Sequence, residues 1–451
     1  MKSLALNKYT LSNGVPVFYC HTPETVCFEL SIHINTGARD ETEKNNGVSH
    51  FLEHMMFRGS KSYPNSIQLS KAMESFGGET NAMTGIENTT YWLKGDAEKT
   101  LDAIDCFADF FLRPNYADLE IERSVILQEM ASDFNEAGDS IDTESLAMAT
   151  LFSNHPLGNP IIGKEEIVKK ISQSDLSEKR RDYYTPNRCA ITIHTSINEK
   201  DVIAQLEKSL GNEWTHTQDS VPNRIMADNY IPHINSLRKP QNALCLQNNP
   251  DNQFAVKLVF PTVGGLSNEV VYITFLQRIL DDGICTRLPA NIREKYGLVY
   301  DISCDTQFFN EIGTFSIDAT VSEDLLPNLL EKLTQELRNI ISEKPLQEEL
   351  DHIRFRYIFD LKQIKETPSR LLNREVSAYF MEQKLTLDDE INIVKSVTTE
   401  QILKTAQKIF GSARRGFVLI GPKARKKREL VEKLLSIFDG IGDLNEKGSS
   451  N

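Results

Sequence analysis

Residues 47 to 54, Gly-Val-Ser-His-Phe-Leu-Glu-His, place two histidines four apart with a glutamate just before the second. On a helix, positions i and i+4 lie on one face about one turn apart, so His50 and His54 could address one metal ion. Glu53 stands beside His54 on that turn, near enough to hold a water. Zinc held by nitrogen and carboxylate ligands, with an open position and an adjacent carboxylate base, is a hydrolase arrangement. The same residues also read as ordinary polar side chains on a helix face, because patterns this short recur by chance. A third ligand would separate the two readings. In Leu119 to Met130, Glu122 and Glu129 are seven apart and share a helical face, with Ile121, Val125 and Ile126 forming an apolar stripe close to it. Alone, this segment reads equally as a solvated acidic helix.

The elements that must position these groups are legible nearby. Tyr9 to Tyr19 carries a turn at Asn13-Gly14 between apolar runs, which predicts a hairpin. Phe28 to Ile34 alternates with period two, as a half-buried strand should. Helices are expected over 47–56 and 66–76, a strand, turn and strand over 79–94, and helices over 97–112 and 117–134. The second half repeats this order, with a strand at 255–260 and a helix at 270–280. A strand pair follows at 300–304 and 313–320, with helices over 325–341 and 346–364. Phe51-Leu52-Glu53-His54 lies where the second half has Phe275-Leu276-Gln277-Arg278. Self-similarity at roughly 220 residues suggests a duplicated domain rather than a solenoid of short units.

The expected fold class is therefore α+β: two duplicated α/β halves, each an antiparallel-rich sheet covered by helices. The polar stretch from Asn212 to Gln241 contains Pro222, Pro232 and Pro240 and has no steady periodicity, so it reads as a linker. The expected domains are 1–220, carrying the chemistry, a linker at 221–240, and 241–451 without a metal motif. Thr274, Gln277 and Arg278 stand where the first copy has His50, Glu53 and His54, and offer no metal site.

Composition narrows the class. The 451 residues are 40% hydrophobic and 25% charged, a globular balance long enough for two or three domains. A formal charge of -14 argues against nucleic acid or an anionic membrane as partner. No window reads as a membrane-spanning helix, and the first eight residues have neither a signal-peptide core nor transit-peptide character. Seven scattered cysteines without a Cys-x-x-Cys pair suit a reducing compartment, so the expected location is cytoplasmic. His33 and His194, within strand-like runs, read as packed or hydrogen-bonded, His155 as structural, and the basic run Lys423 to Arg428 as a solvated helix turn.

Taken together, His50-x-x-Glu53-His54 and Glu129, with Glu122 two turns earlier, resemble the inverted zinc motif of the pitrilysin and insulysin metallopeptidases. Gly47-Val48-Ser49 before the motif, Met56 to Ser60 after it, and Gly77 to Thr84 resemble the same family. So does Arg293-Glu294-Lys295-Tyr296-Gly297-Leu298-Val299-Tyr300 in the second half. In length the chain is similar to the branch that includes mitochondrial processing peptidase β subunits and their bacterial relatives. The resemblance implies a zinc endopeptidase acting on peptides or extended polypeptide segments in a closed chamber. It implies one Zn2+, with His50, His54 and Glu129 as ligands and Glu53 as general base. Glu122 would orient a ligand, and Arg293 and Tyr300 would steady the substrate carbonyl and developing oxyanion. Asn81 and Ala82 would lie on an edge strand that pairs with the peptide. As partner it implies a second copy in a homodimer, or a related chain in a heterodimer. A non-catalytic or partner-dependent peptide-binding subunit is the alternative.

Overall fold

The computed structural model describes residues 4–214, Arg224, Ala227, 241–411 and 414–436. The first sheet contains β1 (Leu6–Thr10), β2 (Pro16–His21), β3 (Cys27–Ile34), β4 (Thr80–Thr84), β5 (Thr89–Asp96) and β6 (Cys189–Thr195), in the order β1-β2-β6-β3-β5-β4. The β1–β2 hairpin turns at Gly14, whose φ of 90° is a left-handed position that suits glycine. Phe28, Leu30, Ile32 and Ile34 of β3 all enter the core, as period-two alternation predicts, but Ser31 and His33 on its other face are buried as well, so the strand is not the half-buried one expected.

Helices cover that face: α1 (Val48–Met56), α2 (Ser66–Glu74), α3 (Thr100–Leu112), α4 (Leu119–Ala131), and later α6 (Glu165–Val168), α7 (Gln173–Tyr183) and α8 (Glu199–Leu206). Phe107, Phe110 and Phe111 of α3 and Phe51, Leu52 and Met55 of α1 are fully buried in one cluster with the β3 side chains. The expected helices over 66–76, 97–112 and 117–134 stand with their ends moved by no more than three residues, and Ala97–Lys99 forms a separate 3-10 turn.

The second sheet contains β7 (Gln241–Asn248), β8 (Gln253–Val263), β9 (Ile302–Phe308), β10 (Ile312–Ser322) and β11 (Arg414–Gly421), in the order β7-β11-β8-β10-β9. This matches β2-β6-β3-β5-β4 strand for strand. The single parallel pair agrees too: β2 with β6 in one sheet, β7 with β11 in the other, all further neighbours being antiparallel. Helices Val270–Leu280, Leu326–Ser342 and Gln347–Ile364 occupy the places of α1, α3 and α4 in chain order.

Compact packing moves two segments across the repeat. One unit gathers Met1–Ser132, Asn159–Ile225 and Lys362–Glu382, and the other Asp133–Gly158, Met226–Leu361 and Gln383–Asn451. In the first unit, the helix Pro368–Phe380 lays Leu372 and Val376 on Phe18, Cys20 and Ala190, the outer face of β2 and β6. In the second, α5 (Thr143–Leu151) packs on β8 and β11. There the buried Lys257 ammonium bridges Glu144 at 2.7 Å and Asp318 at 2.8 Å. The contiguous division into 1–220 and 241–451 does not anticipate this exchange, since neither segment carries a local signal of where it packs. The 221–240 linker lies outside the described residues except for Arg224, which pairs with Asp40 at 2.9 Å, and Ala227. No described helix is long and apolar enough to cross a membrane.

Candidate metal centre

Helix α1 divides by face. Val48, Phe51, Leu52, Met55 and Met56 are buried in the core, while His50, Glu53 and His54 are half-buried on the other side. On α4 the packing face is Glu122, Ile126 and Met130. Of the apolar stripe read from the sequence only Ile126 is buried; Ile121 and Val125 are exposed. Glu129 follows Glu122 by seven residues and Val125 by four, so it stands where the packing face of α4 meets the exposed one, and is itself exposed.

The two helices bring the predicted groups together. The Nε2 atom of His50 lies 3.8 Å from one Glu129 oxygen, and that of His54 lies 3.5 Å from the other. Ligand atoms from the three residues fall within 4.8 Å of one another, the one such group of three metal-ligating side chains among the described residues. Two ligand atoms each about 2.1 Å from a tetrahedral ion stand about 3.4 Å apart, so this spacing suits a single ion. His54 Nδ1 sits 2.8 Å from Glu122 Oε1. A carboxylate only accepts, so Nδ1 donates and the Nε2 lone pair is left facing Glu129. Arg58 holds the other Glu122 oxygen at 3.3 Å and reaches Asp118 at 2.9 Å. Among the described residues, His50 Nδ1 is buried without a hydrogen-bond partner.

Electrostatics separate the two imidazoles. Burial, and then the neighbouring His54, push His50 down to about 4, so it is neutral at ordinary pH. Burial also pushes His54 down, but the Glu122 hydrogen bond and the charges of Glu122, Glu129 and Glu53 outweigh it and leave His54 raised. Burial raises Glu53 against the opposing pull of Thr84 and His54. The Thr84 hydroxyl, at the end of β4, donates to Glu53 Oε2.

Sequence reasoning assigned no role to Thr84, Arg58 or Asp118. Arg58 stands one turn beyond His54, and that spacing is a usable signal; Thr84 becomes visible only when β4 reaches the helix. Asn81 and Ala82 are on β4, which pairs with β5 alone and forms an edge of the sheet. Asn81 is exposed and Ala82 packs against the core. Arg293 and Tyr300 belong to the other unit, where the guanidinium lies 5.8 Å from the Tyr300 ring centre and Tyr300 is 85% exposed.

The second repeat keeps the contacts of this centre with different chemistry. In the helix Val270–Leu280, Gln277 donates to the Cys304 carbonyl of β9 at 2.9 Å, where Glu53 meets Thr84 of β4. Arg278 donates to Asp360, late in the helix Gln347–Ile364, at 2.7 Å, as His54 faces Glu129 late in α4 at 3.5 Å. An ion pair thus stands where the first repeat has a histidine facing a glutamate.

A family profile described as Insulinase (Peptidase family M16) matches residues 17–165, and one described as Peptidase M16 inactive domain matches residues 170–357. A Bacillus subtilis protein named uncharacterized zinc protease YmxG is 26% identical over 411 residues, covering 90% of this chain and 96% of its own. The human mitochondrial cytochrome b-c1 complex subunit 1 is 33% identical over 215 residues, 47% of this chain and 44% of its own. The crystal structure of a protease from Helicobacter pylori superposes with a TM-score of 0.82 at 18% identity, covering 93% of this chain and all of that one.

Proposed function

The chain belongs to the insulinase (M16) peptidase family, and from that premise we propose that it is an active zinc endopeptidase cutting peptides or extended polypeptide segments. The observation that carries this reading is the convergence of His50, His54 and Glu129 beside Glu53. His50, His54 and Glu129 would hold one Zn2+, which when bound supplies Lewis acidity at the scissile carbonyl and acidifies water. Glu53 takes the attacking water's proton and returns it to the leaving amine. Its burial favours that work, because a raised carboxyl holds a proton more readily than an exposed one. The Thr84 hydroxyl fixes one Glu53 oxygen, and Glu122 fixes the His54 ring. The edge strand β4, with Asn81 and Ala82, would add an extended peptide by backbone pairing next to that base. Arg293 and Tyr300 are proposed on the family resemblance as the groups that steady the carbonyl and its oxyanion.

A relative's name as a respiratory-complex subunit favours a second reading, a non-catalytic or partner-dependent subunit. The intact ligand set speaks against it. We further propose a second copy or a related chain as partner, and, since all seven cysteines are free, a reducing compartment such as the cytoplasm. The test is mass-spectrometric mapping of products from a peptide library. Hydrolysis should vanish with a chelator and return with zinc; cleavage that persists without metal, or none under any condition, would defeat the proposal.

A further inference from the structure

Helix α1 has no cap of its own. Its N-cap residue is Gly47, at a φ of 94°, and no side chain there can meet the first-turn amides. Those amides are out of reach of water, since Val48 and Ser49 are both buried. Glu41, itself 2% exposed and lying before the helix in sequence, supplies the missing acceptor. Its Oε2 accepts from the Gly47 N–H at 2.7 Å and from Asn46 Nδ2 at 2.9 Å, and its Oε1 accepts from the Ser49 N–H at 2.7 Å.

The surroundings keep this grip from sliding. A Cβ on Gly47 would meet Gly163 Cα at 2.9 Å, and one on Gly163 would meet Gly47 Cα at 2.6 Å, so two backbones touch where the helix starts. Asn46 also donates to the Pro160 carbonyl at 3.1 Å. The buried Lys179 of α7 lies over the Tyr183 ring at 3.9 Å and brings a positive charge near Glu41 and Asp40. A buried carboxylate needs such compensation.

We propose that Glu41 is a positioning residue of the metal centre: by holding the N-cap amide of Gly47 and the first-turn amide of Ser49 it sets the rotation and rise at which His50, Glu53 and His54 are presented. His50 follows Ser49 directly, and Glu53 and His54 lie within the next turn, so an error at the first turn is carried to all three. A carboxylate is required, because a glutamine would turn its NH2 toward one of the donors. This inference rests on the zinc-peptidase reading.

The experiment compares wild type, Glu41→Gln, Asn46→Ala and a control, Ile104→Ala, which opens a cavity at α3, a helix that supplies no group to the centre. Zinc affinity is read by chelator competition, alongside kcat, KM and Tm. Glu41→Gln should raise the zinc Kd about ten-fold or more and lower kcat similarly, with KM within about two-fold. Ile104→Ala should lower Tm and leave zinc Kd unchanged. Asn46→Ala, losing one donor to the carboxylate, should raise the zinc Kd measurably but less. Wild-type zinc affinity and kcat in Glu41→Gln, or a loss matched by the control, would overturn the inference. If Glu41→Gln does not fold, wild-type zinc affinity in Asn46→Ala overturns it. A wild-type protein that binds no zinc defeats the peptidase reading beneath it instead.

Discussion

Lowering the pH from about 6.5 to about 5 should weaken zinc binding by more than about fifteen-fold and at most about thirty-fold, the loss set by one histidine rather than two. A proton competes with a metal for the same ring nitrogen. His50 is held by burial and by His54 down to about 4, so it carries almost no proton in this range and costs the metal almost nothing. His54 is raised above its ordinary value because Glu122, Glu129 and Glu53 outweigh its burial. It is therefore increasingly protonated as the pH falls and costs up to about ten-fold per pH unit. Two ordinary histidines near 6.5 would together lose roughly 250-fold over the same interval. Chelator competition at the two pH values measures this directly. A loss near the larger figure would refute the assignment of the two imidazoles. Glu122→Gln sharpens the test: without that anion His54 falls, and the pH dependence should flatten even as affinity at neutral pH drops.

Other consequences are open to measurement. His33, buried between Thr90 at 3.1 Å and Thr192 at 2.9 Å, is held down to about 4 by burial. The unfolded chain then takes a proton first as pH falls, so stability present above about 6.5 is lost toward 4, about 2 kcal/mol of it by pH 5. Urea unfolding of His33→Gln should show a flatter pH dependence than wild type, and equal slopes would contradict this. Leu372→Ala should destabilise the unit that carries the metal centre by about 2–4 kcal/mol, because Leu372 is buried on β2 and β6; a neutral effect would detach that helix from the unit. The charge of -14 predicts that cleavage of basic peptides slows more steeply with added salt than cleavage of acidic ones, and equal slowing removes the charge argument.

Much of the architecture was legible because it depends on local pattern. Period-two alternation in Phe28 to Ile34 specifies β3, Asn13-Gly14 specifies the hairpin, and the Val270–Leu280 helix lies where its apolar spacing places it. The correspondence of Gln277 and Arg278 to Glu53 and His54 was readable from order alone. What was not legible depends on contacts distant in sequence. Nothing in Pro368–Phe380 marks it for the first sheet, and nothing in Thr143–Leu151 marks it for the second. Glu41 reads as one charge among several in a turn, and only the folded chain shows it on the amides of Gly47 and Ser49. Ile121 and Val125 suggested a packing stripe, yet the helix turns Glu122, Ile126 and Met130 inward, a choice made by the neighbours rather than by α4 itself.

The central claim is that Glu53 is the base of a zinc site built from His50, His54 and Glu129. Metal content and peptide hydrolysis measured side by side on wild type and Glu53→Gln test it most directly. Both proteins should bind one zinc per chain with similar affinity, and the variant should lose hydrolysis by at least about a hundred-fold. Retained turnover in Glu53→Gln, or a wild-type protein that holds no stoichiometric zinc, would contradict the account.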